Sequence, residues 1–366
     1  MTTYDVAIVG AGIAGATLAA AMAPHARVVM IEGEDQPGYH ATGRSAAFWS
    51  ETYGGPAIQP LTTASRAAFD AGGFLDPLGS LHIGRATDAA AIDAFLAAFA
   101  ATDVVLEPVD PATMIPGLRD DWTLGVREPS CAYIDVAALH AAALAAARQA
   151  GAALVTGATL TAATRHDGAW RLALAATGDA REIGARVLVN AAGAWADAVA
   201  VLAGARPLGI TPYRRTVVQV RTDPAPPAGL PHVADIGGRF YFKPEAGGRL
   251  WLSPHDETPT TPCDAQPEEI DVAIAIDRLE SVVDWRIAAL ERRWAGLRSF
   301  APDRRPVYGF DRDVPGFFWC AGQGGFGIQT APAAAMVAAA LLLGATPDPA
   351  IAGIDPARYS PRRFAR

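Results

Sequence analysis

Cysteine and lysine are both scarce in this sequence, and each scarcity excludes a class of protein. Three cysteines, Cys131, Cys263 and Cys320, occur among 366 residues. No CxxC or Cys/His spacing joins them, so we expect reduced thiols and neither a structural zinc site nor a disulfide framework. Lys243 is the only lysine, no block of basic residues occurs, and the net charge is -8. Nucleic acid is not an expected partner, because phosphate recognition needs clustered lysine and arginine.

A long apolar run is also missing. The longest one, 333–343, has eleven residues, whereas a helix needs roughly 20 to cross a bilayer. The first ten residues carry no basic region before their apolar run, which predicts a strand rather than a signal peptide. Hydrophobic residues make up 51% and charged residues 19% of the chain, as in a folded protein. We expect a cytoplasmic protein without a transmembrane segment; a peripheral contact with a membrane stays open.

The chain does contain a recurring pattern of apolar runs, glycine turns and alanine-rich stretches. Residues 4–9, the run GAGIAG, a stretch to Ala23 and residues 27–31 predict strand, turn, helix and strand, which is one βαβ unit. Residues 33–60 are rich in Gly, Pro, Ser and Thr and predict a functional loop. Helical patterns cover 61–74, 88–101, 136–150 and 267–292, and strand-like runs cover 153–156, 159–165, 170–175, 186–190, 216–221, 239–243 and 249–253.

The order of these patterns predicts the fold class. Nucleotide-domain pieces occur at both ends and in the middle, and β-rich segments lie between them. We expect a mixed α/β fold in which an antiparallel-sheet substrate domain is inserted into a Rossmann-like domain. The predicted nucleotide domain comprises 1–80, 132–210 and 298–366, and the predicted substrate domain comprises 81–131 and 211–297. The cleft between them is the expected active site.

A dinucleotide motif opens the chain. Gly10, Gly12 and Gly15 form G-x-G-x-x-G after a strand and at the start of a helix. In such a motif the glycines allow a tight turn, a close approach of the pyrophosphate and helix–strand packing. Glu32 ends the second strand, where a carboxylate binds ribose hydroxyls and repels a 2′-phosphate. The motif predicts NAD or FAD; the alternative is a glycine-rich turn with a solvated Glu32.

Further motifs make the pattern more specific. They are DVAIVGAGIAGA, QPGYHATGRSAA, VLVNAAGAWADA, RPLGITPYRRT, FYFKPEAGG, WAGLRSFAPD, FFWCAGQGGFGIQT and SPRR, spread over residues 5–363. With them the chain resembles the D-amino-acid oxidase superfamily of FAD enzymes, which includes glycine oxidases, sarcosine oxidases and bacterial D-amino-acid dehydrogenases. The likeness is strongest to the bacterial FAD-dependent D-arginine dehydrogenases.

The resemblance implies a set of FAD-binding residues. The loop 41–48 would wrap the flavin and the pyrophosphate, residues 190–193 would form a second nucleotide turn, and 324–329 would run along the isoalloxazine. The position used elsewhere for covalent attachment falls near Val307, which is not a cysteine, so non-covalent FAD is implied. The implied cofactor residues are Gly10, Gly12, Ala14, Gly15, Glu32, Gly33, Ala41, Thr42, Gly43, Arg44, Ser45, Ala46, Ala47, Phe48, Leu160, Ala192, Gly193, Gly324, Gly325, Phe326, Gly327, Ile328 and Gln329.

The same resemblance implies the substrate-binding residues. Arg215 and Arg298 match arginines that bind the substrate carboxylate; two structural ion pairs are the alternative. Tyr53 and Tyr241 match phenols of the substrate pocket, although aromatic residues in strands are often core. Gln329 and the Gly296 carbonyl could hold the amine. Strand alternation would turn Arg214 away from Arg215, toward solvent or an ion pair. His40 could contact the flavin or make a structural hydrogen bond.

Two departures from the family pattern bear on the substrate. The acid that grips a basic side chain in the arginine-oxidising members falls near Leu81, where no acid lies within four residues. A histidine beside the flavin loop is replaced by Phe48. With Trp49, these residues favour an apolar or uncharged substrate side chain.

A third comparison concerns the electron acceptor. Trp251 falls at the position of a lysine that promotes reaction with O₂ in sarcosine-oxidase-like members, and Lys243 is expected on the other face of its strand from Tyr241. A dye-like or quinone-like acceptor is therefore implied rather than O₂.

The implied reaction is oxidative deamination of a D-amino acid to the imino acid, and thence the 2-oxo acid, by hydride transfer to flavin N5. No general base can be chosen from the sequence. An oxidase of glycine or secondary amines and a 2-hydroxy-acid dehydrogenase are alternatives within the superfamily, and a non-catalytic nucleotide-binding protein is a third.

Overall fold

The computed structural model describes residues 2–176 and 181–364. The helices of this part of the chain are α1 (Ile13–Met22), α2 (Gln59–Gly72), α3 (Ala89–Phe99), α4 (Val136–Gln149), α5 (Ala196–Leu202), α6 (Glu269–Glu280) and α7 (Ala331–Leu343). The strands are β1 (Thr2–Val9), β2 (Val28–Ile31), β3 (Phe48–Trp49), β4 (Leu75–Pro77), β5 (Ser80–Gly84), β6 (Glu107–Val109), β7 (Leu124–Glu128), β8 (Ala132–Ile134), β9 (Ala153–Val155), β10 (Ala158–His166), β11 (Ala169–Ala176), β12 (Arg181–Asn190), β13 (Thr211–Asp223), β14 (His232–Asp235), β15 (Tyr241–Glu245), β16 (Arg249–Ser253), β17 (Thr258–Pro259), β18 (Arg286–Phe300), β19 (Val307–Phe310) and β20 (Phe317–Ala321).

The first sheet grows from the predicted βαβ unit. Its strand order is β10-β11-β12-β1-β2-β9, with β20 in parallel beside β12 and β19 beside β20. β1 is parallel to both β2 and β12, so the carboxyl ends of three strands meet at one edge. α1 has no polar face because it packs between the sheet, α4 and α7. The glycine turn at the end of β1 therefore stands where α/β sheets bind ligands.

The second sheet is mostly antiparallel and collects strands from distant parts of the chain. Its order is β17-β13-β16-β15-β14-β5-β7-β6, and β18 pairs with β13 on that strand's other edge. β5 joins in parallel with β14, which brings residues 80–84 beside 232–235. α6 covers one face, where Val272 and Leu279 pack on Val218, Phe242 and Leu252. The other face is left for the first sheet and the small sheet β3-β8-β4.

One expected helix is half strand. The pattern over 267–292 predicts helix, but α6 ends at Glu280 and β18 begins at Arg286. The run RIAALERR has helix-favouring residues, yet its backbone forms a ladder with β13 from Asp223↔Arg286 to Thr211↔Phe300. Such long-range pairing overrides helix propensity, which amounts to tenths of a kcal/mol per residue.

The remaining expectations concern absent features. No helix of the described residues is long and apolar enough to cross a membrane, and these residues hold no cluster of metal-ligating side chains. The three cysteines are free, and burial raises the pKa of the Cys131 thiol. The division into two domains stays a prediction: the first sheet draws on 2–31, 153–176, 181–190 and 307–321, and the second sheet draws on 80–128 and 211–300.

Candidate active site

The glycine turn brings the backbones of β1, α1 and β12 together. Gly10 has φ = +99°, and a Cβ there would lie 2.4 Å from the Ala191 carbonyl oxygen at the end of β12. A Cβ on Gly15 would lie 1.9 Å from the Gly10 carbonyl oxygen. Both contacts are with backbone atoms, which cannot move aside. The turn thus needs glycine at both positions, and Gly15 acts by packing rather than by contact with a ligand.

The start of α1 is open to a ligand. Its N-cap, Gly12, has no capping side chain, and the first turn holds no acidic residue. The Ile13 amide donates to Thr42 Oγ1 at 3.0 Å, which ties the loop after β2 to the helix. Unpaired amides at a helix N-terminus attract phosphate. Glu32 accepts from the Ala11 amide at 2.8 Å, so its carboxylate is held beside the turn.

A cavity of about 490 Å³ begins at this turn. It runs from Glu32 and Leu160 at one end, past the start of α1, to Arg298 and the 323–328 loop at the other. The predicted cofactor residues that line it are Gly10, Gly12, Ala14, Glu32, Gly33, Ala41, Thr42, Ser45, Leu160, Ala192, Gly193, Gly324, Gly325, Gly327 and Ile328.

The polar groups of this cavity fit FAD. His40 Nε2 donates to the Glu34 carboxylate at 2.8 Å, and its buried Nδ1 has no partner among the described residues. That atom, the open amides of α1 and the Glu32 carboxylate provide polar contacts for phosphate and ribose in an otherwise apolar channel. Of the two roles considered for His40, the structure provides the hydrogen bond to Glu34.

Several predicted cofactor residues do not line the cavity. Arg44 points away: Nη2 lies 2.5 Å from Asp264, and Nη1 donates to the Ala265 carbonyl at 2.7 Å and to the Ala295 carbonyl of β18 at 3.2 Å. It thus clamps the loop to the second sheet and to the segment before α6. Phe48 packs on the substrate side, with its ring centroid 4.0 Å from that of His232. The residues outside the lining are Gly15, Gly43, Arg44, Ala46, Ala47, Phe48, Phe326 and Gln329.

The side chain of Gln329 is held by two hydrogen bonds that sequence reasoning did not predict. Its side chain is 2% exposed, and Nε2 donates to the Tyr53 carbonyl at 3.0 Å and to Thr62 Oγ1 at 2.8 Å. The amide thus ties α2 and the Tyr53 loop to the start of α7. Its Oε1 is buried and has no partner among the described residues. Gln329 thus holds Tyr53 in place, and its contact with a substrate amine stays a prediction.

Sequence reasoning missed part of the lining. Trp195, Val199 and Leu202, at and within α5, close one side of the cavity, and Tyr39 lies on another. The signal was available in NAAGAWADAVAVL (190–202), because a short helix that follows a nucleotide turn presents one face to it. Its apolar residues at a spacing of three to four mark that face.

The two predicted arginines lie side by side on the second sheet. Arg215 stands opposite Gly296 and Arg298 stands opposite Tyr213 in the β13–β18 ladder, so both side chains lie on one face as a diagonal pair. Gly296 makes room, because a Cβ there would lie 3.0 Å from Arg298 Nη1. Both arginines are buried, with exposed fractions of 3% and 8%.

Their partners differ. Arg215 donates to the Asp256 carbonyl at 2.9 Å and to Glu257 Oε1 at 3.0 Å. Arg298 donates only to the Leu297 carbonyl, at 3.2 Å, and no carboxylate of the described residues pairs with it. Burial and the neighbouring Arg215 lower the pKa of Arg298. A buried guanidinium without an acid is a prepared site for an anion.

Arg214 is confirmed as an ion-paired residue. It faces α6, where it pairs with Glu268 and, at 2.8 Å, with Asp271. One position along β13 therefore separates a structural arginine from a candidate binding arginine.

Two tyrosines complete the group. Burial raises the pKa of Tyr241, while the charges of Arg215 and Arg298 act to lower it. Tyr53 packs edge-on against Phe326 with ring centroids 5.1 Å apart. A Cβ on Gly325 would lie 2.2 Å from the Tyr53 hydroxyl, so that phenol reaches the end of the cavity that the 323–328 loop lines.

A second cavity, of about 580 Å³, adjoins Tyr53. Because Tyr53 lines this cavity and its hydroxyl abuts the first, the phenol stands between the two. The lining residues are Tyr53, Gly54, Ala57, Ile58, His255, Glu257, Phe300, Asp303, Arg304, Arg305 and Phe326.

The expected side-chain pocket at Leu81 and Trp49 is wrong. Leu81 is fully buried in the core under α6, and Trp49 is 2% exposed. Strand alternation turns Ser80 to the opposite face from Leu81, where its Oγ lies 3.0 Å from His232 Nδ1. Phe48 contacts that histidine, so Phe48, Ser80 and His232 occupy the side that faces Tyr241.

The expected position of Lys243 is also wrong. Residues two apart in a strand share a face, so Lys243 and Tyr241 point the same way, toward Phe48. The Lys243 Nζ lies 4.0 Å from the centroid of the Trp251 ring and 3.0 Å from Glu245 Oε2. Burial lowers the pKa of Lys243 to about 8. Lys243 thus contacts Trp251, the residue at the position of the O₂-promoting lysine in sarcosine-oxidase-like members.

Comparisons with known proteins agree with this geometry. The family model DAO, described as FAD dependent oxidoreductase, matches residues 5–341. The glycine oxidase from Geobacillus kaustophilus superposes with a TM-score of 0.85 over 100% of both chains, at 23% identity. The L-proline dehydrogenase from P. horikoshii gives 0.84 over 99% of this chain and 98% of that one, at 19% identity. At these identities the likeness shows the fold alone.

A curated relative matches over a shorter region. The FAD-dependent oxidoreductase domain-containing protein 1 of Xenopus laevis is 25% identical over 202 residues, which is 51% of this chain and 40% of that protein. The matched region therefore spans less than half of that relative.

Proposed function

The chain belongs to the DAO family of FAD-dependent oxidoreductases, and from that premise we propose that it oxidises a D-amino acid to its imino acid, which water then converts to the 2-oxo acid and ammonia. The single observation that carries the substrate class is Arg298: it is 8% exposed, has no acid partner among the described residues and lines the flavin end of the nucleotide cavity. An α-carboxylate is the anion that such a fork accommodates.

The residues of this chain act by binding and orientation. When bound, FAD supplies the hydride acceptor at N5. Arg298, with Arg215 beside it, holds the substrate carboxylate, and the Tyr53 and Tyr241 phenols flank the same position. A carboxylate fixed by a planar fork leaves Cα little rotational freedom, so the Cα–H bond can be aimed at one ring atom. The amine must be neutral when hydride leaves; we assign this proton to no residue.

The cofactor is proposed to be non-covalent. Glu32 would bind the adenosine ribose, the Leu160 backbone would contact the adenine, and the start of α1 would hold the pyrophosphate. Val307, at the position of covalent attachment in related enzymes, is fully buried and carries no thiol. We propose a cytoplasmic location, because free thiols are typical of proteins in a reducing compartment.

We still propose that the substrate side chain is apolar or uncharged, but the residues that support this differ from Leu81 and Trp49. Phe48 and His232 form the surface next to Tyr241, with Phe48 4.0 Å from the imidazole. Glu128 lies opposite Ser80 but accepts from Ser50, Thr52 and the Glu51 amide. Its charge is thus already satisfied, and it is a poor partner for a basic side chain. The D configuration rests on family likeness.

A dye-like or quinone-like acceptor is proposed over O₂, but one observation favours an oxidase as second candidate. Lys243 lies against the Trp251 ring on the strand face that carries Tyr241. The argument against an O₂-promoting lysine depended on Lys243 lying on the opposite face, so that argument no longer holds. An amine oxidase of this chain would use the same carboxylate site.

Anaerobic bleaching of the flavin tests the proposal. Purified holoenzyme is mixed with D-, L- and N-methyl amino acids and with 2-hydroxy acids, and flavin absorbance is followed. We expect fast bleaching with D-Leu, D-Met or D-Phe, and slower bleaching with D-Arg or D-Lys. Preference for L-isomers, N-methyl amino acids or 2-hydroxy acids would replace the proposed reaction by the corresponding alternative. Bleaching by none of them would favour a non-catalytic nucleotide-binding protein.

A further inference from the structure

The mouth of the second cavity carries features that the proposed reaction does not use. His255 and Arg304 line it, and both are non-glycine residues with positive φ, +53° and +60°. Such backbone strain persists where surrounding contacts hold it, often at functional sites. Here the contacts hold Arg304 across the opening: its guanidinium carbon lies 3.9 Å from the centroid of the Phe300 ring.

Glu257 joins this arginine to the substrate site. A single oxygen, Oε1, accepts from Arg304 Nη2 at 2.6 Å and from Arg215 Nη2 at 3.0 Å. Glu257 is 32% and Arg304 47% exposed, whereas Arg215 is 3% exposed. The bridge therefore runs from the rim of the cavity to a buried residue of the candidate carboxylate site.

We propose that Glu257 and Arg304 form a gate over the second cavity, and that Glu257 is a positioning residue that competes with the substrate carboxylate for Arg215; this rests on the proposed function. In the closed arrangement Glu257 takes the place of an anion on Arg215. When a substrate carboxylate reaches Arg298 and Arg215, Glu257 stays with Arg304 alone. The Asp256 carbonyl continues to hold Arg215 Nε, so that arginine keeps its direction in both arrangements.

This arrangement predicts effects of opposite sign at the two gate residues. Glu257→Gln keeps an acceptor oxygen for both arginines but removes the competing charge, so carboxylates should bind more tightly. Arg304→Gln leaves Glu257 with Arg215 as its arginine partner, so carboxylates should bind more weakly. A role in folding alone would move both variants in one direction.

The test measures binding of isovalerate to the holoenzyme by perturbation of the flavin spectrum, with isovaleramide as the uncharged probe. We expect the isovalerate Kd to fall about fivefold or more in Glu257→Gln and to rise by a similar factor in Arg304→Gln, since a hydrogen bond to a charged group is involved. The amide should bind all variants alike. Steady-state KM should follow these shifts, while kcat stays within about twofold.

Arg305→Gln is the matched control. Arg305 lines the same cavity and carries the same charge, but it pairs with Asp303 at 2.8 Å rather than with Glu257. It should leave the Kd unchanged. Where Arg304→Gln fails to fold, Arg304→Gly removes the guanidinium and suits the positive φ.

Two results would overturn the gate. If the isovalerate Kd shifts equally in Arg304→Gln and Arg305→Gln, the effect comes from the net charge of the cavity and not from the pair with Glu257. If the Kd of Glu257→Gln is higher than or equal to that of wild type, Glu257 does not compete with the carboxylate. Arg298→Ala separates these from the proposed function. If that variant still binds isovalerate with wild-type Kd, the carboxylate site itself is misplaced; if it loses binding, only the gate is at stake.

Discussion

Arg298→Ala should abolish most activity without loss of stability. Arg298 is 8% exposed and has no carboxylate partner among the described residues. In the free protein its charge is buried at a cost, so truncation removes an unfavourable desolvation term along with some side-chain packing. The measured melting temperature should thus stay the same or rise, in contrast to most truncations of buried residues.

With substrate present the same truncation removes the partner of a buried carboxylate. Loss of one member of such a pair costs about 2–5 kcal/mol, which is on the order of a hundredfold or more in kcat/KM. Arg215 remains, but Glu257 already occupies one of its nitrogens at 3.0 Å. The remaining site therefore offers the carboxylate few donors, and the loss should lie toward the upper part of that range.

Arg214→Ala is the matched control for this prediction. Arg214 stands on the same strand as Arg215 but pairs with Glu268 and Asp271 against α6. Its removal leaves Asp271, whose side chain is 10% exposed, without its arginine, and breaking a buried pair in this way costs about 3–5 kcal/mol of stability. We expect a lower melting temperature and little change in kcat/KM.

The assay is steady-state kinetics with a dye acceptor, together with thermal unfolding of both variants as holoenzymes. The reasoning predicts activity loss at Arg298 and stability loss at Arg214. It is refuted if Arg298→Ala keeps kcat/KM within about fivefold of wild type, or if Arg214→Ala loses more activity than Arg298→Ala.

Three further predictions concern the cofactor and the acceptor. Acid or heat should release free FAD into the supernatant, because Val307 offers no thiol for attachment; flavin that precipitates with the protein, or FMN in solution, contradicts this. Glu32→Ala should weaken FAD retention roughly ten- to a hundredfold, as expected for a lost hydrogen bond to a charged group, without altering substrate preference; unchanged retention would make Glu32 a structural partner of the Ala11 and Glu34 amides. Turnover with a dye or quinone should greatly exceed turnover with O₂; comparable rates in air would show an oxidase and direct attention to Lys243, whose substitution by Met would then be expected to lower the O₂ rate selectively.

The nucleotide half of the molecule could be predicted from sequence because its signals are local. Gly10, Gly12 and Glu32 lie within one βαβ unit, and strand, turn and helix each have a short-range pattern. The helical pattern over 267–292 failed where β18 begins, because its ladder with β13 depends on residues 211–223 and not on its own composition.

The substrate half depends on pairings that no local pattern contains. Glu257 and Arg304 are 47 residues apart in the sequence, and their side chains form a hydrogen bond at the lining of the second cavity. β5 and β14 are more distant still, and their parallel pairing brings Ser80 to His232. A single residue of register decides which side chain faces the site, because neighbours in a strand point to opposite faces.

The register of β5 changes the conclusion that can be drawn from the absence of an acid near Leu81. The expectation of an uncharged substrate side chain was drawn from Leu81, but Leu81 packs in the core, so its neutrality says nothing about the pocket. Ser80 faces the pocket, and the acid across from it is Glu128, 2.6 Å from Thr52 Oγ1 and 2.7 Å from the Glu51 amide. Burial acts to raise the pKa of that carboxyl, but His82 and the hydrogen bonds from Thr52 and Ser50 outweigh it and lower the pKa. A carboxylate that already accepts several hydrogen bonds gains little from a guanidinium. Burial keeps the pKa of His232 well below its ordinary value, so this imidazole is neutral. Together with Phe48 it forms an aromatic surface in the pocket. The proposed preference for an uncharged side chain therefore rests on satisfied acids and aromatic contacts, rather than on acids that the sequence lacks.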